Sequence, residues 1–182
     1  MLDIITYPNP VLDQVARDVE LPLNKETEVL IREMYKTVEG KGVGLAAPQV
    51  GVSLHLCIIK LDPDMVKKKF KDLEFVMLNP KVTFFSQVES NMVEGCLSFP
   101  NQFYQIWRPS NISVEFSTIK NFRDFVENKT VKPILVKKTL NASDWLSRVI
   151  QHEVDHLNGK LFINLGGKKI QDDEKDQHHI VD

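Results

Sequence analysis

The chain has 182 residues, with 25 acidic side chains against 23 basic ones and a formal net charge of −2. This length suits one domain with a sizeable core, and the balanced charge excludes a general affinity for nucleic acid or membrane surfaces. No apolar run reaches membrane-spanning length and no secretory signal is visible, so we expect a cytoplasmic protein, although a mature organellar form would look the same.

The first helix is predicted over residues 24–40, where apolar side chains recur at the spacing of one buried face. Asn24 can cap its start and Gly40 can end it. Residues 42–51 follow and consist mostly of small side chains, with Gln49 as the one amide. They lack the spacing of a phosphate-binding loop, so on their own they indicate a tight connection between a helix and a strand.

Short strands are predicted for most of the chain between residue 53 and the second helix. The predicted strands are 53–60, 73–78, 81–85, 88–93, 102–107, 112–119 and 133–140. Asn79 and Pro80 are expected to interrupt two of them. The charged segment 62–72 predicts a surface loop, and the polar segment 121–132 predicts a hairpin loop.

The second helix is predicted over residues 143–158, closed by Gly159. The order of elements predicts an α+β fold, with mostly antiparallel sheets packed around this central helix and another helix near the N-terminus. Residues 166–182 are charged and poor in apolar side chains, which predicts a disordered tail and leaves 1–165 as a single domain.

The second helix carries two histidines four residues apart with a glutamate beside the first: His152, Glu153 and His156. That spacing places both imidazoles on one face of a helix, about one turn apart. Two such nitrogens can share a metal ion, and the glutamate is close enough to move a proton for a metal-bound water. A helix with two ordinary histidines is the alternative, and the adjacent glutamate favours the metal site.

The helical wheel places Trp145 and Val149 on the same stripe as the two histidines, with Arg148, Gln151 and Asp155 on the far side. A metal on this stripe would have an apolar wall that can hold an aliphatic substrate side chain. Plain core packing of Trp145 and Val149 explains the pattern equally well.

A third metal ligand must come from elsewhere in the chain. A thermolysin-like site needs a later glutamate, which is available only at Glu174 in the tail, and a metzincin site needs a histidine where this chain has Phe162. Cys96, in a glycine-flanked turn, is the best remaining ligand and would leave one position open for water. A closed structural site would instead need Cys57 or His55 as a fourth ligand.

Three separated segments resemble the motifs of the peptide deformylase family: residues 42–49, 94–98 and 151–157. Their order and spacing also match, and the weaker similarity extends over about residues 4–163. The resemblance implies a catalytic domain that removes the formyl group from the formylmethionine of new polypeptides and releases formate. Phe103 departs from the family pattern, since many bacterial members carry an arginine there.

The resemblance also implies the roles of the site residues. Cys96, His152 and His156 would hold one divalent metal, with ferrous iron (Fe2+) as the expected native ion and Zn2+, Ni2+ or Co2+ able to replace it. Glu153 would act as general base and acid while metal-activated water attacks the formyl carbon. The Gln49 side chain and the Leu97 backbone N–H would stabilise the oxyanion.

Substrate binding is implied in the same way. The backbone around Val43, Gly44 and Gly95 would hold the substrate peptide as an added strand. The methionine side chain would enter a pocket lined by Val43, Trp145, Val149 and Met92. The expected partners are N-formylmethionyl peptides, as nascent chains at the ribosome, and the sequence leaves the oligomeric state open.

Two other functions are compatible with the metal-site pattern. One is a different metal amidase or peptidase built on the same His-Glu-x-x-His helix. The other is a non-catalytic, metal-stabilised domain that binds N-terminal peptides. Cleavage of internal peptide bonds would identify the first, and a dispensable Glu153 would favour the second.

Overall fold

A computed structural model describes residues 1–61 and 73–171, together with the backbone of Ile180–Val181. The helices are α1 (Lys25–Val38), α2 (Phe122–Glu127) and α3 (Asp144–Leu157). The strands are β1 (Gly44–Ala46), β2 (Leu56–Lys60), β3 (Glu74–Phe85), β4 (Glu89–Glu94), β5 (Phe103–Pro109), β6 (Asn111–Ile119), β7 (Leu135–Ser143), β8 (Lys168–Ile170) and β9 (Ile180–Val181). The surface loop predicted over 62–72 lies outside the described residues.

The strands form two sheets. The first has the order β1-β2-β3-β6-β7 and the second the order β8-β5-β4-β9. All neighbouring strands are antiparallel except the pair β4 and β9. The predicted α+β fold with mostly antiparallel sheets is therefore confirmed.

Helix α3 lies between the two sheets, with ten of its 14 residues buried. Leu146, Val149 and Ile150 pack into the core cluster formed with the first sheet. On another side of the helix, Arg148 and His152 contact a carboxylate on β4 of the second sheet. Because both sheets contact it, α3 is the central helix that the sequence predicted.

Helix α1 packs on the opposite face of the first sheet. Oδ1 of Asn24 accepts a hydrogen bond from the backbone N–H of Thr27, which caps the helix start as predicted. The buried side chains Ile31, Met34 and Val38 join a second core cluster with that sheet. Their spacing of three and four residues made this helix recognisable in the sequence.

The hairpin loop predicted over 121–132 is wrong, because residues 122–127 form helix α2. Phe122, Phe125 and Val126 are buried at helical spacing in the same cluster as α1. The guanidinium of Arg32 lies 3.6 Å from the centroid of the Phe125 ring. The apolar face of this helix spans only about one turn and is surrounded by polar residues, so the sequence pattern did not indicate a helix.

The predicted break at Asn79 and Pro80 is also wrong, since β3 runs through both residues with a shift in register. Asn79 has a φ of 52°, and its side-chain amide bonds to both the backbone N–H and the backbone carbonyl of Val19. These bonds to a distant segment stabilise an irregular strand where the local sequence indicated a turn.

The prediction of disorder from residue 166 onward is wrong for Lys168–Ile170, which forms β8 against β5. Ile170 is buried there and lies opposite Phe103. Ile180–Val181 pairs with β4, whereas residues 172–179 and 182 lie outside the described residues. The boundary of the catalytic domain at residue 165 stays a prediction.

Candidate metal centre and active site

The side chains of Cys96, His152 and His156 meet in the interior of the protein. Their ligand atoms all lie within 4.8 Å of one another, and Sγ of Cys96 is 3.2 Å from Nε2 of His156. Both histidines lie on α3, while Cys96 lies in the loop after β4. Two imidazoles and one thiol are a donor set suited to divalent transition metals.

Glu94 orients the first histidine of this group. Its Oε2 atom lies 2.9 Å from Nδ1 of His152, which leaves Nε2 as the ring nitrogen free for a metal. Glu94 is fully buried. Burial by itself would raise the pKa of Glu94, but hydrogen bonds and charge from His152 and Arg108 outweigh burial and hold this pKa well below its usual range.

Two buried arginines neutralise Glu94. Arg108 donates from Nε to Oε1 at 2.6 Å, and Arg148 donates from Nη1 to the same oxygen at 2.9 Å. Arg108 also pairs with Asp155 at 2.5 Å. Two positive and two negative side chains therefore form a balanced network behind the histidine.

The sequence does not predict this network. Glu94 is recognisable there only as part of a motif, and the helical wheel places Arg148 on the far side of the helix, away from the site. Arg148 precedes His152 by four residues, so both side chains reach the same carboxylate. That spacing was the available signal, whereas the position of Glu94 between the two residues needed the tertiary structure.

Glu153 is buried beside the three candidate ligands. Burial raises the pKa of Glu153 to about 7, which suits a group that accepts and returns a proton near neutral pH. Its Oε2 atom makes no hydrogen bond to any residue that the structure describes. Gly44, at the start of β1, lies against this carboxylate.

Gln49 directs its amide group toward the candidate ligands. Its Oε1 atom accepts a hydrogen bond from the backbone N–H of Ala46 at 2.8 Å. This bond leaves the Nε2 group as the donor that faces Cys96, 3.5 Å from Sγ. Leu97 directly follows Cys96, and its side chain packs against the cluster around α1.

The predicted substrate residues lie on two sides of the site. Val43, Trp145 and Val149 belong to one apolar cluster on the side of the first sheet. Gly95 and Met92 lie at the second sheet, with Met92 opposite Ile106. Their place in this cluster is compatible both with a wall of the methionine pocket and with ordinary core packing.

Within the ranges that the structure describes, neither Cys57 nor His55 joins the group of candidate metal ligands. Cys57 lies in β2 within the core, where burial raises the pKa of its thiol well above the usual range. Among the described residues, Cys96, His152 and His156 form the one group of three or more candidate metal ligands. A metal held by these three residues would keep a position open for water, as a catalytic site requires.

Comparison with known proteins places this chain in a family. The sequence model described as polypeptide deformylase matches residues 1–171. The peptide deformylase of Wolbachia sp. subsp. Brugia malayi is 34% identical over 167 residues, which cover 89% of this chain and 85% of that protein. The chain belongs to the peptide deformylase family.

Solved peptide deformylases share the fold. The Synechococcus elongatus structure in complex with actinonin has a TM-score of 0.73 and 29% identity, covering 97% of this chain and 83% of the other. The Met-Ala-Ser-bound structure from Acinetobacter baumannii has a TM-score of 0.72 and 29% identity, covering 91% and 98%.

Family membership makes this chain a hydrolase. Peptide deformylases remove the N-formyl group from nascent peptides and use a single divalent metal. Neither a different peptidase nor a simple binding domain is favoured by these relatives. No helix in the described part of the chain is long and apolar enough to cross a membrane.

Proposed function

We propose that this chain removes the formyl group from N-terminal formylmethionine, with Cys96, His152 and His156 as its metal ligands. The observation that carries the proposal is the meeting of these three ligand atoms within 4.8 Å beside the buried Glu153. Fe2+ is the native ion that the family resemblance implies. The thiol and imidazole donors would also accept Zn2+, Ni2+ or Co2+.

The donor set fits such an ion. Glu94 occupies Nδ1 of His152, so Nε2 can serve as the ligand atom. Nε2 of His156 already faces Cys96. A divalent metal held there would supply Lewis-acid activation of water.

Glu153 moves the protons in the proposed reaction. It accepts a proton from the attacking water and returns it to the nitrogen of the departing methionine. The Nε2 group of Gln49 and the backbone N–H of Leu97 donate hydrogen bonds to the oxyanion that forms from the formyl oxygen. The Ala46 hydrogen bond holds the Gln49 amide in the orientation this role needs.

The substrate peptide would lie between the two sheets. We propose that backbone groups of Val43, Gly44 and Gly95 hold it as an added strand. Its methionine side chain would contact the apolar side chains of Trp145, Val149 and Met92, with Val43 closing the pocket. The substrates would be nascent chains at the ribosome, and the cytoplasmic location stays a prediction from the sequence.

The test is formate release from formyl-Met-Ala-Ser by protein purified without oxygen and analysed for metal. We expect release by the wild type, and a rate lower by about 10²–10⁴-fold for Glu153→Ala with its metal retained. Equal release by both proteins would remove Glu153 from the mechanism. No release by metal-loaded wild type would contradict the proposed reaction, and cleavage of internal peptide bonds would indicate a different peptidase.

A further inference from the structure

The first residue of β1 has no room for any side chain. A Cβ atom built on Gly44 would lie 2.2 Å from Oε1 of Glu153, 2.7 Å from its Cδ and 2.9 Å from its Cγ. Ordinary van der Waals contacts of a Cβ atom lie at 3.4–4 Å. The space that a side chain would fill is therefore occupied by the carboxylate of the proposed catalytic base.

Backbone conformation does not explain the glycine. Gly44 pairs with Ile59 as a regular antiparallel strand residue, and it is not among the glycines with positive φ. Any residue type adopts such an extended conformation. Space rather than conformational freedom is the requirement at this position.

Hydrogen bonding by the described residues does not fix the Oε2 atom of the Glu153 carboxylate. Its Oε2 atom is buried without a hydrogen bond to any described residue, whereas Nδ1 of the neighbouring His152 is held by Glu94. The backbone of β1 is the wall against which the Glu153 side chain packs. The atoms that meet this wall belong to a rotatable side chain, so an added methyl group would displace the carboxylate rather than the strand.

We infer that Gly44 is a positioning residue, whose missing side chain sets the place of the Glu153 carboxylate. This inference rests on the proposed function, in which Gly44 also lies along the substrate peptide. One residue would then align both the peptide and the base, which couples peptide docking to proton transfer. The alternative is that Gly44 serves only the close approach of the peptide backbone.

A double-mutant cycle separates these two roles. Gly44→Ala is made in the wild type, in Glu153→Ala and in Glu153→Asp, where the shorter side chain leaves room for the methyl group. For each metal-loaded protein, kcat and KM for formyl-Met-Ala-Ser are measured together with the Kd for the product Met-Ala-Ser. Glu153→Ala is the matched background, because it has no carboxylate to displace.

If Gly44 positions the base, Gly44→Ala lowers kcat by about 10²-fold or more in the wild type, as loss of a general base would. The same substitution then lowers kcat by less than about threefold in Glu153→Ala, with an intermediate loss in Glu153→Asp. The Kd for Met-Ala-Ser changes far less than kcat. An equal loss of kcat in all backgrounds, or a loss of Met-Ala-Ser affinity that matches the loss of kcat, would overturn the inference.

Urea unfolding of the same proteins tests the contact without activity. Gly44→Ala should lower the unfolding midpoint in the wild type and lower it much less in Glu153→Ala. Equal shifts in both would also overturn the inference. Absence of formate release by the wild type would instead reject the proposed function. The unfolding measurements would still show whether a side chain at position 44 and the Glu153 carboxylate compete for the same space.

Discussion

Oε2 of Glu94 lies 2.9 Å from Nδ1 of His152, although the two residues are 58 positions apart in the chain. A carboxylate in this position accepts a hydrogen bond from the Nδ1–H group and leaves the lone pair of Nε2 for a metal. Arg108 and Arg148 offset the charge of the carboxylate in the dry interior. Glu94 thus orients one proposed metal ligand, although Glu94 lies outside the group of candidate ligands.

Replacing Glu94 should weaken metal binding. Glu94→Gln removes the charge that favours the Nδ1–H tautomer and leaves Arg108 and Arg148 without their shared carboxylate, so we expect metal affinity to fall by about 10–100-fold. Chelator competition with Zn2+ or Co2+ measures the Kd. Glu115→Gln, on an exposed position of β6, is the control, and an unchanged Kd for Glu94→Gln would contradict the orienting role.

Replacing the Gln49 amide should slow the reaction without disturbing the fold. Gln49→Glu retains an oxygen that can accept the Ala46 hydrogen bond and removes the Nε2 donor. We expect kcat to fall by about 10²–10³-fold, since an oxyanion donor is lost. Formate release is compared with metal content and melting temperature, and a normal kcat in a metal-loaded variant would exclude Gln49 from oxyanion stabilisation.

Helix α2 should contribute to stability as a packed element. Phe125 is fully buried beneath the Arg32 guanidinium, so Phe125→Ala should lower the free energy of unfolding by about 3–5 kcal/mol. Phe85→Ala, at a side chain that is 54% exposed, should change it by about 0.5 kcal/mol or less. Urea titration measures both, and equal small effects would indicate that residues 122–127 are a loose loop.

Acid should destabilise the metal-free protein partly through Glu94. The pKa of Glu94 is lower in the folded protein than its ordinary value of 4.5, so the unfolded chain binds more protons in acid. The resulting stabilisation is present above pH 4.5 and is lost as the pH falls toward the folded-state pKa. Unfolding midpoints measured from pH 6 downward should fall less steeply for Glu94→Gln, and parallel curves would contradict this contribution.

Local spacing predicted only the part of the site whose residues are close in the chain. His152, Glu153 and His156 are recognisable because a helix places residues four apart on one face. Helix α1 and most strands followed in the same way from local periodicity. The resemblance across three motifs then indicated the family, which the comparisons confirmed.

The elements that local patterns missed depend on distant partners. Helix α2 is too short to show a periodic face, and its apolar side chains are stabilised by α1. Asn79 continues β3 because its amide bonds to Val19, 60 residues away. Strand β8 forms because it pairs with β5 at the edge of the second sheet.

The α+β class, the central helix and the chemistry on one face of that helix follow from side-chain type and local spacing, and were therefore predictable. The residues that surround this face became known only from the folded structure. The fold brought Cys96 to His156 across 60 residues, buried Glu94 between two arginines and placed Gly44 against Glu153. The physical reason is that contacts between distant segments arise from the packing of whole sheets, which no local pattern records.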